Sequence, residues 1–180
     1  MSKIVVLTGS PRKNGNSNRM AEAFCEEARK LGHEVARIDT TAVKIGGCRA
    51  CDACYKNGQP CVFEKEYTPI AEAVEAADGI VLAFPLYWYA IPAQIKSVID
   101  HWYSFCMAGK DFAGKKAALI TCCDEAEIEV LDGVKFAFEM TMKLMHADIV
   151  GEVLVPGVGG VGDIDQTDGI RRARELAARF

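Results

Sequence analysis

Four cysteines, Cys48, Cys51, Cys54 and Cys61, stand at C-x2-C-x2-C-x6-C. Thiolates are soft ligands, and at this density they suit an iron-sulfur cluster or zinc. Three cysteines at two-residue gaps can wrap one face of a cubane, and a fourth downstream closes the ligand set. Zinc more often takes two separated pairs, so the compact triplet favours iron; unligated thiols are the third reading. The final six-residue gap holds Gly58 and Pro60 and leaves Cys61 the least constrained of the four.

A second set of residues, Lys3 to Asn18, reads as a buried strand running into an anion-gripping loop and a helix start. Ile4 to Leu7 has the β-branched richness of a strand covered on both faces. Ser10, Asn16, Ser17 and Asn18 supply side-chain partners and helix caps, and Arg12 adds a full charge. The Walker loop fails here, because Gly15 is followed by Asn16 and Ser17 rather than Lys-Ser/Thr. The dinucleotide fingerprint fails too, since Gly9 is followed by Ser10 and Pro11. A monophosphate held by hydroxyls and amides is the better reading; an ordinary turn without a ligand uses the same residue types.

A third set lies further along. Pro85, Leu86, Tyr87 and Trp88 form an aromatic loop in which a planar cofactor could lie, with Tyr87 and Trp88 against its faces or edges. Aromatic residues here equally suit a core cap or a subunit interface. The turn Thr121-Cys122-Cys123-Asp124 offers N–H groups to the edge of such a ring, while the two thiols themselves read as small buried side chains.

These sets must be held by elements. Apolar runs place strands at Ile4–Leu7, His33–Asp39, Gly79–Phe84, Lys116–Thr121 and Ile149–Val155. Helical spacing marks Arg19–Leu31, Ile70–Ala77, Ala93–Phe105, Glu125–His146 and Thr167–Arg179. Alternation of this kind demands a parallel sheet with helices on both faces. The expected fold is α/β, a doubly wound five-stranded parallel sheet of flavodoxin-like order 2-1-3-4-5, in three α/β/α layers. Ligands then sit at the carboxyl ends of the strands, at the loops after strands one, three and four. One domain over 1–180 is expected, with a cysteine-rich insertion at about 46–66, a length uncommon inside a domain unless functional. That insertion follows the second strand and is expected on the same rim as the first loop.

The 21 basic and 25 acidic residues give a net charge of -4, which argues against nucleic acid or an anionic membrane as partner. No export signal precedes the first strand, and Pro85 and Pro92 break the apolar stretch from Ile80 to Ala93. A cytoplasmic location is expected, where eight cysteines do not form a disulfide framework. Cys25 and Cys106 fall on helices and are expected to be buried.

Gly9-Ser-Pro-Arg12 with Asn16-Ser17, Ala83-Phe-Pro-Leu-Tyr-Trp88 and Ile91 to Asp100 together resemble the NAD(P)H-dependent FMN reductases and flavodoxin-like oxidoreductases. The compact cysteine run resembles the iron-sulfur flavoproteins among them. The resemblance covers nearly the whole chain. It implies FMN held by Ser10, Arg12, Ser17 and Asn18 at the phosphate, by Pro85 to Trp88 at the ring, and by Thr121, Cys122 and Cys123 at the far edge. It implies a 4Fe-4S cluster on Cys48, Cys51, Cys54 and Cys61, and homodimers or homotetramers with the flavin near a subunit boundary.

The expected activity is therefore an FMN-dependent oxidoreductase, passing electrons from NAD(P)H or a reduced carrier through FMN and the cluster to a small-molecule or protein partner. No side chain is required as a catalytic acid or base. The rivals are a pure electron carrier without nicotinamide turnover, and a non-enzymatic sensor whose Cys48–Cys61 loop binds zinc or responds to oxidants.

Overall fold

A computed structural model describes residues 1–180. The strands β1 (Lys3–Thr8), β2 (Glu34–Asp39), β3 (Gly79–Pro85), β4 (Lys116–Cys122) and β5 (Asp148–Val155) pair in parallel in the order β2-β1-β3-β4-β5. The expected topology is the observed one. In register, Leu7 faces Leu82 and Leu82 faces Leu119, so the apolar centres of the three inner strands align and are buried.

Six helices cover the sheet: α1 (Asn16–Lys30), α2 (Thr68–Ala76), α3 (Ala93–Asp100), α4 (Tyr103–Met107), α5 (Asp132–Leu144) and α6 (Gly169–Ala177). Side chains alternate across each strand, which divides the interior into two layers. Val5, Leu7, Leu82 and Phe84 pack with Ile70, Ile95, Val98 and Phe138 on the face of α2, α3 and α5. Ile4, Val6, Val81 and Ala83 pack with Phe24, Ala173 and Leu176 on the face of α1 and α6. Full burial of one such side chain stabilises by about 1.5–3 kcal/mol.

Three helix boundaries differ from expectation. The helix expected over Ala93–Phe105 is two, because Trp102 N–H closes an i to i+3 turn on Ile99 O at 3.0 Å. The Tyr67 hydroxyl also donates to His101 O at 3.0 Å, drawing that carbonyl off the helix axis. The helix expected from Glu125 begins only at Asp132, since Glu125 O accepts the Gly157 N–H at 2.7 Å and is held toward the exit of β5. The first helix starts earlier than expected, at Asn16. Residues 41–64 carry no regular helix or strand.

Candidate cofactor cleft and cysteine cavity

Backbone hydrogen bonds stitch the loops at the carboxyl rim together. Gly9 N–H donates to Ala83 O (2.9 Å), Leu86 N–H to Cys122 O (2.8 Å), Cys123 N–H to Val155 O (3.1 Å) and Val158 N–H to Cys123 O (2.8 Å). Between the loops lies a solvent-open cleft of about 210 Å³. Of the residues expected at a cofactor, Ser10, Arg12, Asn16, Ser17, Pro85, Leu86, Tyr87, Cys122 and Cys123 line it. Close approach favours glycine beside it: a Cβ on Gly9 would stand 2.8 Å from Ile95 Cγ2, and one on Gly15, in the cleft wall, would be tight at 3.0 Å from Ser10 Oγ.

One end of the cleft is built for an anion. Gly15 caps α1 in extended conformation, and Arg19 N–H is the first to find a helical acceptor, Gly15 O at 3.0 Å. The N–H groups of Asn16, Ser17 and Asn18 precede it at the positive end of the helix dipole. The Ser17 hydroxyl is buried and has no hydrogen-bond partner. An orphaned buried polar group costs about 1–3 kcal/mol, which an anionic oxygen in the cleft would offset. Arg12 stands exposed on the same loop. The Cys122 thiol forms part of the floor, and burial pushes it up to about 12.

Four of the expected contact residues are engaged or placed differently in the structure. Asn18 lies outside the cleft: its Nδ2 donates to Ser10 O (3.1 Å) and Arg12 O (2.9 Å), and its Oδ1 accepts from Arg37 (3.1 Å), so it shapes the loop. Asn16 borders the cleft, yet both ends of its amide bond to the protein, and neither asparagine caps the helix. Thr121 sits within β4, paired with Phe84 and Leu154, and is fully buried away from the cleft. Trp88 is 94% exposed at the tip of a two-residue turn, where Tyr87 and Ala90 exchange bonds of 3.1 and 3.0 Å. Trp88 and Tyr89 both take left-handed backbone there (φ 49° and 58°), which directs the indole into solvent.

The sequence reading missed the loop after β5. Val158, Gly159 and Val161 line the cleft, as does Asp124. The available signal was the glycine-rich run Pro156 to Gly162, whose turns need left-handed glycines at Gly157 (φ 74°) and Gly162 (φ 97°).

Cys48, Cys51, Cys54 and Cys61 all line a second, narrow cavity of about 20 Å³, together with His101, Tyr103 and Ser104. Ala50, Asp52 and Tyr55, interleaved with the cysteines, take φ of 49°, 53° and 60°. Burial raises the Cys54 thiol, and charge on Cys48, Cys51 and Cys61 raises it further, so four negative charges would converge here. No three side chains meet as ligands of a single ion. The His101 ring is buried beside the cavity with Nδ1 2.8 Å from Ser97 O.

The cysteine cavity does not share the rim with the cleft, contrary to the expectation from its place after β2. Tyr103 Oη donates to Asp52 Oδ1 at 2.9 Å, and Lys110 Nζ stands 5.5 Å from the centre of the Tyr55 ring. These contacts draw the segment to the far end of α3, whose eight residues span about 12 Å. The cavity and the cleft have no lining residue in common. Of the other thiols, Cys25 is buried and pushed up to about 11, whereas Cys106 is exposed rather than buried.

The sequence model of the family described as NADPH-dependent FMN reductase matches residues 2–148. The chain belongs to the NADPH-dependent FMN reductase family. Similar to this family member is an iron-sulfur flavoprotein of Archaeoglobus fulgidus, 36% identical over 98 residues, covering 54% of this chain and 44% of the relative. An iron-sulfur flavoprotein of Methanosarcina thermophila is 35% identical over 113 residues, covering 63% of this chain and 58% of the relative. The chain thus spans about half the length of these curated relatives. Among solved structures, an FMN-dependent NADH-azoreductase of Bacillus anthracis in complex with FMN superposes with a TM-score of 0.75 at 15% identity, covering 99% of both chains. That likeness supports the flavodoxin-like fold of this FMN reductase family member. No helix is long and apolar enough to cross a membrane.

Proposed function

We propose that this chain is an FMN-dependent oxidoreductase that takes electrons from NAD(P)H or a reduced carrier and passes them through FMN and a 4Fe-4S cluster to an acceptor. The observation that carries the flavin reading is the buried, unpartnered Ser17 hydroxyl at the free N–H groups of α1, inside a cleft walled by Tyr87 and Cys123. FMN, when bound, supplies hydride acceptance and single-electron release. Ser10, Ser17 and Arg12 hold the phosphate, with N–H groups of α1 completing the anion site. Pro85, Leu86 and Tyr87 form one wall for the ring, and Cys122 and Cys123 stand at its far edge.

Cys48, Cys51, Cys54 and Cys61 hold the cluster, a reading supported by four thiols around one cavity and by the likeness to two iron-sulfur flavoproteins. Thiols spread round a cavity suit a cluster with one cysteine per iron better than the tight tetrahedron of a zinc ion. Anaerobic purification followed by a visible spectrum, mass analysis of the released cofactor, and iron and sulfide assays tests both parts. FMN with about four irons per chain supports the proposal; FAD overturns the cofactor, and zinc or bare thiols overturn the cluster in favour of a sensing segment.

A further inference from the structure

We infer that Asn16 is a positioning residue that fastens the glycine-rich loop 156–162 to the start of α1 and so holds that loop as a wall of the cleft. Its Nδ2 donates to Val158 O at 3.1 Å and to Gly160 O at 2.8 Å. Its Oδ1 accepts from Gly162 N–H at 3.1 Å and from Ile164 N–H at 3.4 Å. A primary amide has two donor hydrogens and two acceptor lone pairs, and all four are used here. The residue is buried, at 8% exposure, so these bonds are shielded from competing water. No capacity is left for a phosphate.

On its other side the same loop is held by Gly157 N–H to Glu125 O (2.7 Å) and Val158 N–H to Cys123 O (2.8 Å). Loop 156–162 is thus clamped between the anion end of the cleft and the turn after β4. The other polar tie near the start of α1 is the Arg19–Asp165 ion pair at 2.6 Å, with side chains 39% and 45% exposed and therefore screened and weak, while Val158 and Ile164 are buried in one apolar cluster with Met20. A loop with left-handed glycines at 157 and 162 loses much entropy on ordering, and the four bonds of the buried amide offset part of that cost where the loop meets α1. Where the loop seats, it touches Asp124 directly: a Cβ on Gly159 would fall 1.8 Å from Asp124 Oδ1. Asn16 therefore also sets the position of the Asp124 carboxylate in the cleft.

The test is Asn16→Ala, read first by amide hydrogen exchange in flavin-free protein. The amides of Gly162 and Ile164 are expected to exchange about tenfold faster, with those of β1, β3 and β4 unchanged. The second readout rests on the flavin reading of the cleft: FMN and riboflavin are expected to weaken by a similar factor, because a wall is lost rather than a phosphate contact. Arg12→Ala is the comparison, expected to weaken FMN and spare riboflavin. Should the alanine variant aggregate, Asn16→Ser, which favours a helix start but cannot span the four bonds, carries the same expectation. Unchanged exchange at Gly162 and Ile164, or loss of FMN with riboflavin binding intact, overturns the assignment. If the parent binds neither flavin, the cofactor reading fails while the exchange result still decides the role of Asn16.

Discussion

The phenol of Tyr103 donates a 2.9 Å hydrogen bond to Oδ1 of Asp52, and this contact pins the cysteine segment to the start of α4. Asp52 lies between Cys51 and Cys54 in left-handed backbone, so the bond acts on the part of the loop that aims two thiols. The Asp52 carboxylate, as acceptor and as neighbouring charge, raises the Tyr103 phenol above its usual value. A raised phenol stabilises the folded arrangement while protonated; that contribution is whole below the ordinary tyrosine range and is lost as pH rises through the raised value. The pin is therefore expected to hold through neutral pH and to release in strong alkali. Tyr103→Phe should lower the iron retained after anaerobic reconstitution at pH 8 while leaving flavin content unchanged. Equal iron retention in variant and parent would assign the contact to packing alone.

Ser17→Ala is expected to have opposite effects on the empty and the loaded protein. Removing a buried hydroxyl without a partner relieves a cost of about 1–3 kcal/mol, so the flavin-free variant should melt at or above the parent temperature. The same change removes a donor to the phosphate, so FMN should raise the melting temperature less than in the parent. Parallel melts with and without saturating FMN check both signs, and an undiminished FMN shift would remove Ser17 from the site.

Ser10→Asp tests the anion end by charge. Ser10 is buried beside the turn between Arg12 and Gly15, so a carboxylate there would face the phosphate with little water between. Like charges in such a site cost several kcal/mol, on the order of a hundredfold or more in affinity. FMN fluorescence quenching on titration with the variant measures the loss, and full occupancy would move the phosphate elsewhere.

The sheet order and the rim loops were legible because a parallel sheet leaves few choices: buried β-branched runs, amphipathic helices and right-handed crossovers fix the switch point. Residue types in the first loop also pointed to an anion. What composition could not tell was how a polar side chain spends its hydrogen bonds. Asn16 and Asn18 looked like ligands because asparagine serves both ligands and loops, and only the positions of Val158, Gly160, Ser10 and Arg12 show their amides to be engaged. Trp88 misled for a similar reason: the left-handed turn that carries it is usually an Asn-Gly signature, and neither residue is present. The path of the cysteine segment down α3 depends on long-range contacts, Tyr103 to Asp52 and Lys110 to Tyr55, which spacing within the segment does not encode.

A self-associating surface is expected along α5. Phe136, Met140 and Leu144 recur at four-residue spacing and are 63%, 45% and 70% exposed. The turn carrying Trp88 and Tyr89 adjoins them, since Tyr89 O lies 3.3 Å from where a Cβ on Gly133 would stand. Three aromatic side chains at these exposures leave on the order of 400 Å² in water. With Met140 and Leu144 the apolar surface reaches about 600 Å², the larger part of the roughly 800 Å² per partner of a stable interface, which a second copy of this chain would cover. Sedimentation at micromolar concentration should give a species of at least twice 19.6 kDa, and Phe136→Asp with Met140→Lys should return the monomer. A monomeric parent would leave the ridge without this occupant.

Replacing Cys51 separates the two redox groups. Cys51 is exposed at the cysteine cavity, which shares no residue with the flavin cleft and lies at the opposite end of α3. Removing one soft thiolate leaves a cubane with an oxygen donor or none at one iron, which favours loss of the whole cluster. Cys51→Ser should therefore lose iron, sulfide and the broad visible absorbance together while keeping FMN at parental stoichiometry. Reduction of one-electron acceptors should fall with the iron. Buried Cys25 and Cys122, raised to about 11 and about 12, stay protonated at pH 8, so iodoacetamide should label the exposed loop thiols of the stripped protein first. Loading the parent with cluster should block that labelling. If the serine variant reduces one-electron acceptors as fast as the parent, or if the loaded parent labels as readily as the stripped one, the four cysteines hold no cluster in the electron path.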